Sequence, residues 1–292
     1  MHNNLSILQN FKSRLVQNDP FPHFVIENAL PADLYHRLEQ QYPSAETIFS
    51  RHARKKSELQ MESNARYDIS AAAVHADANF DIGLWREFVL YHTSQNFLDE
   101  LLEKLGNTVA SRYDWLVPLM CKKSPTGRPR AGVRRYKDDT RECEVALDCQ
   151  VGMNSPVSST PSTVKSLHLD NSAELFAGLF YLRDANDTST GGDLELYRWK
   201  NGRTFSFYDK RYIRSENAEL INAISYGPNK FVWLLNSLNA IHSVSVRNVT
   251  PFPRRLVNII AEVYPTIDRL FDERPYAEKP RLLQRILSLG RA

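Results

Sequence analysis

The sequence predicts a mainly β chain with flanking helices and a jelly-roll core, on three observations. From about residue 115 onward, runs of four to eight apolar, β-branched or aromatic residues are separated by polar turns. Their spacing is irregular, as in a rolled sheet, and no internal repeat is visible. Ahead of them the apolar residues recur at helical intervals, which supplies the flanking helices.

The 292 residues suit one β-rich domain, although a soft figure of roughly 150 per domain would allow two. A chain of this size can bury roughly three quarters of its unfolded surface. Hydrophobic residues make up 42% and charged ones 24%, with 11 Gly and 15 Pro, which excludes collagen, coiled coil and wholesale disorder. Thirty-seven Lys and Arg against 34 Asp and Glu leave +3, too small an excess to announce a nucleic-acid or membrane-surface partner. No signal-peptide core opens the chain and no 18 apolar residues run together, so a cytoplasmic protein is expected. Cys121, Cys143 and Cys149 lack CxxC spacing and read as reduced thiols, neither a disulfide framework nor a zinc ribbon.

Three regions make up what is expected to be one structural domain: support elements over 1–115, a β core over 116–265 and a C-terminal helix over 266–292. In the first, the apolar run Phe24 to Ile26 predicts a strand. Leu34, Leu38 and Tyr42 then predict a helix started by Pro31 and Asp33 and stopped by Pro43. Residues 44–80 are polar and read as loops. Trp85, Phe88, Val89, Tyr91, Phe97, Leu98, Leu101, Leu102 and Leu105 predict one long helix or a broken pair, capped by Gly106. Strands are expected at 142–153, 164–170, 174–182, 193–199, 230–235, 240–246 and 255–263. Leu282, Leu283, Ile286, Leu287 and Leu289 form an amphipathic stripe; packing on the chain's own barrel is preferred to a homodimer contact.

Two of eight histidines stand apart. His168 and Asp170, two residues apart on an expected strand, emerge on one face, and His242 lies on a later strand that a rolled sheet can bring opposite. Two His and one carboxylate, with other positions open, is the ligand set of non-haem Fe(II) oxygenases. A His with a carboxylate two residues on arises by chance about one time in ten at this composition, so the surrounding pattern has to decide. His2, His23, His36, His52, His75 and His92 have no assignable partner.

That pattern is HLD at 168–170, ELFAGLFYLRD at 174–184, GGDLELYRW at 191–199, AIHSV at 240–244 and PRRLVNII at 253–260. In order and approximate spacing it resembles the 2-oxoglutarate and Fe(II)-dependent dioxygenases, and the segments at 20–43 and 93–106 look like the prolyl-hydroxylase-like bacterial hydroxylases among them. The resemblance covers most of the chain, densely from about 145 to 263. It implies a double-stranded β-helix (jelly-roll, cupin-like) core, with His168, Asp170 and His242 holding Fe(II). Related halogenases have a small residue in place of the carboxylate, so Asp170 argues for hydroxylation or another oxidation.

The resemblance further implies a basic residue after the distal His that anchors the far carboxylate of 2-oxoglutarate, a task suited to a guanidinium fork. Arg254 and Arg255 compete, and strand parity lets only one face inward. Arg254 inward brings Leu256, Asn258 and Ile260 with it and leaves Val257, Ile259 and Ala261 to pack under helices; Arg254 is preferred, with Arg255 the alternative. Gln150, Asn154 and Tyr181 are weaker candidates to line the cosubstrate, each with a plain structural role as the commoner reading. Gly191 and Gly192 read as a turn without chemistry. The basic stretch Arg128 to Lys137, preceded by Lys122 and Lys123, is a solvated loop or a flap for an anionic or carrier-bound substrate. It lacks aromatic residues at stacking intervals, so no nucleic-acid groove is expected.

The expected activity is therefore hydroxylation of an unactivated C–H bond in a small molecule or side chain. Fe(II), 2-oxoglutarate and O2 are required, succinate and CO2 are released, and ascorbate is an optional reductant. Desaturation or cyclisation would use the same ligands. Two rivals are a non-catalytic jelly-roll binding module and a zinc hydrolase built on the same three side chains.

Overall fold

The computed structural model describes residues 5–52, 60–135, 143–200, 207–208 and 212–263. The expected C-terminal helix, His2 and the end of the basic stretch after Arg135 lie outside the described residues.

The amino-terminal elements are β1 (His23–Glu27), α1 (Ala32–Gln40), α2 (Ala45–Arg51), β2 (Arg66–Ile69), α3 (Ala71–Ala76), α4 (Leu84–His92), α5 (Gln95–Ala110), α6 (Leu116–Lys123) and β3 (Ala131–Val133). The stretch expected as loops at 44–80 thus holds α2, β2 and α3. The Ser44 and Ser70 hydroxyls cap the two helices by accepting from the N–H of Thr47 and Ala73. Few apolar residues, Ile48 and Val74 among them, anchor these short helices, so tertiary packing rather than sequence periodicity makes them. The long apolar run is a broken pair: α4 ends at His92, and the Ser94 hydroxyl caps α5 by accepting from Phe97 N–H. Gly106 does not cap. It lies inside α5, which continues to Ala110 because Val109 extends the buried stripe of Leu101 and Leu105. Buried Leu116 and Met120 make α6 a helix inside the region expected to be all β.

The strands that follow are β4 (Val145–Asn154), β5 (Glu174–Leu182), β6 (Leu194–Trp199), β7 (Phe207–Tyr208), β8 (Tyr212–Ile213), β9 (Ala218–Ile224), β10 (Pro228–Leu235), β11 (Ile241–Val244) and β12 (Arg254–Val263). A large sheet runs β1-β10-β5-β12-β4-β2 with β3 beside β4; a small one runs β11-β6-β9; β7 and β8 pair apart. Both β1 and β2 hydrogen-bond into the large sheet, so the amino-terminal region supplies strands as well as cover. The expected strand at 164–170 is absent. Its chain runs beside β11 with isolated bridges, Ser162 to Arg247 and His168 to His242. The Thr163 hydroxyl takes the Val244 carbonyl that a ladder N–H would otherwise take, which interrupts the pairing. In chain order β4, the 157–168 segment, β5, β6, β9, β10, β11 and β12 fall in the large, small, large, small, small, large, small and large sheet. That winding is a double-stranded β-helix.

Side-chain alternation separates the two faces of the large sheet. Val257, Ile259, Ala261, Phe180, Leu182, Phe231 and Trp233 pack under the helices with Leu38, Trp85, Phe88 and Leu101. Tyr181, Val232, Leu234 and Leu256 face the small sheet and meet Leu194, Leu196, Ile224 and Tyr226. The candidate site occupies this second face.

Candidate metal centre

His168 and His242 stand directly opposite each other, each backbone N–H donating to the other's carbonyl, at 3.0 and 3.2 Å. This pairing sets the two imidazoles side by side, with ring centroids 4.2 Å apart. Asp170, just beyond the bridge, turns back between them: Oδ1 lies 3.4 Å from His168 Nε2 and Oδ2 lies 3.5 Å from His242 Nε2. Ligand atoms of the three residues all fall within 4.8 Å of one another, the one such His, Cys, Asp and Glu grouping among the described residues.

Both imidazoles are oriented by the same local device. Nδ1 of His168 meets the Ser166 carbonyl at 2.7 Å and Nδ1 of His242 meets the Ala240 carbonyl at 2.9 Å, each two residues back along the chain. An imidazole donating from Nδ1 keeps its lone pair on Nε2, the atom aimed at Asp170. Burial, with His242 beside it, pushes the His168 imidazole down to about 3, so it is neutral and available as a ligand. Burial acts to raise the Asp170 carboxyl, but the His242 and His168 imidazoles on either side of it outweigh that and hold it well below the usual carboxylate range. Metal bonds of about 2.0–2.2 Å put neighbouring ligands on one face roughly 3 Å apart. The observed separations fit a single divalent ion.

Deeper between the sheets, Arg254 is 3% exposed. Its Nε donates to the Gly192 carbonyl at 2.7 Å and its Nη1 to Asn154 Oδ1 at 3.2 Å. Nη2 has no partner among the described residues, and neither has the buried Tyr181 hydroxyl, whose ring lies 4.7 Å from the guanidinium carbon. Burial pushes the Tyr181 phenol up against the opposing charge of Arg254, so it stays a donor. Asn258 Nδ2 donates to Gln150 Oε1 at 3.4 Å and leaves Oδ1 unpartnered, while Gln150 Nε2 donates to Asp148. Arg254, Asn154, Tyr181, Asn258 and Gln150 thus share one face. Arg255 does not join them: it points to the helix side, where Nη2 bonds Asp184 at 3.0 Å and Nε bonds the Leu182 carbonyl. His92, with Nε2 accepting from Ile7 N–H and Nδ1 against the Phe88 carbonyl, is a satisfied core histidine.

Sequence reasoning missed two charged clusters. Arg134 lies 2.7 Å from Glu262, 3.5 Å from Asp148 and 3.6 Å from Glu174. Burial and the nearby Asp170 charge push the Glu174 carboxyl up to about 8, with Arg134 opposing. At the other end, Arg183 and Arg247 share the buried Asp187. A usable signal existed for one of them: Glu262 sits at the same strand parity as Arg254, a carboxylate where an apolar strand should be apolar. Among the described residues no helix is long and apolar enough to cross a membrane.

No family model matches this chain, and no curated protein matches it. Solved structures do. A prolyl-4-hydroxylase from Pseudomonas putida is 11% identical over 82% of this chain and 92% of its own, with a TM-score of 0.40. A prolyl hydroxylase from Trichoplax adhaerens, in complex with a hypoxia inducible factor oxygen degradation domain peptide fragment, is 12% identical over 86% and 89%, with a TM-score of 0.45. An epimerase in complex with Fe3+, alpha ketoglutarate and nogalamycin RO is 9% identical over 83% and 79%, with a TM-score of 0.38.

Proposed function

We propose that the chain is a 2-oxoglutarate-dependent, non-haem Fe(II) dioxygenase that hydroxylates an unactivated C–H bond of a small molecule or a side chain. One observation carries the reading. Two imidazoles and a carboxylate poised as ligands share a barrel with a buried guanidinium and a phenol that each keep an unpartnered donor. A zinc hydrolase has use for the first group and none for the second.

His168 Nε2, the Asp170 carboxylate and His242 Nε2 would hold the ion, leaving its remaining positions to ligands from outside the chain. The bound iron and keto acid supply activation of dioxygen, which no side chain of the protein can provide. Everything else is positioning. Arg254 Nη2 and the Tyr181 hydroxyl receive the far carboxylate of the cosubstrate, and Asn258 Oδ1 offers an acceptor beside it. Leu179, Leu196, Val232, Leu234 and Leu256 line the same interior and keep water from the reacting end. The Ser166 and Ala240 carbonyls hold both imidazoles in one tautomer, so the ligand atoms need no reorganisation when the ion arrives.

Anaerobic addition of Fe(II) and 2-oxoglutarate should produce the weak visible charge-transfer band of a chelated keto acid. Admission of oxygen with substrate should then release succinate. Folded protein that binds the ion without giving the band would refute the reading, and turnover independent of oxygen would favour a hydrolase.

A further inference from the structure

The segment that carries His168 holds a lysine one pairing step away, and a bulge decides where it points. Ser162 bridges Arg247 and His168 bridges His242, so six steps on one side face five on the other. An even ladder would set Ser166 against Val244. Instead the Val244 N–H donates to the Lys165 carbonyl at 3.0 Å, and the Lys165 N–H donates to the Thr163 hydroxyl at 3.2 Å. That hydroxyl donates in turn to the Val244 carbonyl, which puts Lys165 in the place opposite Val244. Opposed residues of an antiparallel pair share a face, and Val244, two residues after His242, shares the face of His242. Lys165 therefore stands on the metal-ligand side of β11. Ser243 points the other way and bonds Glu195.

The charge of Lys165 is felt at His168, Asp170 and Glu174, in keeping with that side. Its half-buried ammonium nevertheless has no hydrogen bond and no ion pair among the described residues. Both nearby acids are committed elsewhere. Asp170 turns its two oxygens to the two imidazoles, and Glu174 lies 3.6 Å from Arg134. A partly desolvated ammonium beside a place for a divalent cation lacks a counter-charge.

We propose that Lys165 is a specificity-determining residue that receives an anionic group, a carboxylate or a phosphate, on the substrate oxidised at the neighbouring centre. The role as substrate contact rests on the dioxygenase reading above, while the position of the free ammonium rests on the strand pairing. An ammonium is a point charge on a flexible stem, so it selects for the sign of the charge and leaves orientation to the apolar walls.

Protein loaded with Mn(II) and saturated with 2-oxoglutarate under anaerobic conditions tests this without turnover, because the paramagnetic ion broadens the proton lines of small molecules that approach it. The probes are two matched pairs: N-acetylaspartate amide against N-acetylasparagine amide, and N-acetylphosphoserine amide against N-acetylserine amide. In the wild type the acetyl line of at least one anionic member should broaden about threefold more than that of its neutral partner. The pair that shows it distinguishes carboxylate from phosphate. Lys165→Met should abolish the difference and Lys165→Arg should keep it, with Mn(II) and 2-oxoglutarate affinities retained by calorimetry in both. Circular dichroism monitors folding, and if Lys165→Met does not fold, Lys165→Gln decides. Equal broadening within both pairs in the wild type overturns the inference, as does an undiminished difference in the folded variant. Lost Mn(II) or 2-oxoglutarate affinity in that variant also overturns it, since the ammonium would then serve the centre or the cosubstrate. Wild-type protein that takes up Mn(II) but not 2-oxoglutarate sinks the dioxygenase reading itself, a result that calorimetry gives before any probe is added.

Discussion

Arg254 and Arg255 are adjacent, identical in chemistry and opposite in outlook, which makes them a controlled pair. Replacing Arg254 by Met removes a buried charge, a bond to the Gly192 carbonyl and a bond to Asn154. An orphaned buried acceptor costs about 1–3 kcal/mol. Relief of like-charge repulsion with Arg247 offsets part of that, so the net loss of stability should be modest. The ligand feels more. Truncating one side of a buried, hydrogen-bonded charge pair costs about 2–5 kcal/mol, a weakening of roughly 30- to 5,000-fold in Kd.

Arg255→Met removes an ion pair with Asp184, whose side chain is 34% exposed, and a bond to the Leu182 carbonyl on the helix side of the sheet. A half-exposed pair is worth up to about 1 kcal/mol, and nothing on that face reaches the keto acid. Titration of 2-oxoglutarate into both variants, with thermal midpoints measured alongside, separates affinity from stability. Unchanged 2-oxoglutarate affinity in Arg254→Met, or a larger loss in Arg255→Met, would refute the assignment of the inward face.

Single replacement of His168, Asp170 or His242 by Ala should abolish metal uptake and succinate release while circular dichroism stays native; retained turnover in all three would remove the metal assignment. Gly191 has φ +80°, and a Cβ there would collide with the Val246 carbonyl, so Gly191→Ala should lose more than about 2 kcal/mol, read as a lower denaturant midpoint at unchanged slope. Glu174, raised in the fold to about 8 from an ordinary value of 4.5, binds its proton more tightly folded than unfolded. The stability of the metal-free protein should therefore fall as pH rises from about 4.5 through about 8, and Glu174→Gln should flatten that slope; an unchanged slope would show that Glu174 does not cause it.

What could be read in advance follows from where periodicity is enforced. β5 and β12 pack both faces, so their runs of Leu, Phe, Ile and Val announce them to within a residue. β9 went unseen because Glu219, Leu220, Asn222 and Ala223 are exposed and no apolar alternation is needed there. The His168, Asp170 and His242 cluster was legible because HLD is a local signature and His242 lies on a recognisable run. The expected strand beneath them was not, since a Thr163 hydroxyl replaces a ladder contact and such a substitution has no pattern. Arg247 was illegible for a further reason: it lies in VRNVTPFP, a segment with the composition of a surface turn, and is buried only because Gly191 and Gly192 let the chain approach it.

The two clusters that sequence reasoning missed give the barrel a polarity. Along β12 the inward face carries Arg254 at one end and Glu262 eight residues later, about 26 Å apart at the usual strand rise. Near Glu262, the carboxyl groups of Asp148, Glu174 and Glu262 share Arg134, and burial with the Asp170 charge holds the proton on Glu174, so carboxyl groups outnumber guanidinium groups in that cluster. Around Arg254 the surplus is positive. A dicarboxylate is drawn by its far end toward the arginines, yet its head would meet the Asp170 carboxylate unless a cation intervened. Such an ion would turn repulsion at the head into attraction. Under the proposed function, metal and keto acid would therefore bind cooperatively, charge complementarity adding to direct chelation, and the coupling would be equal in both directions.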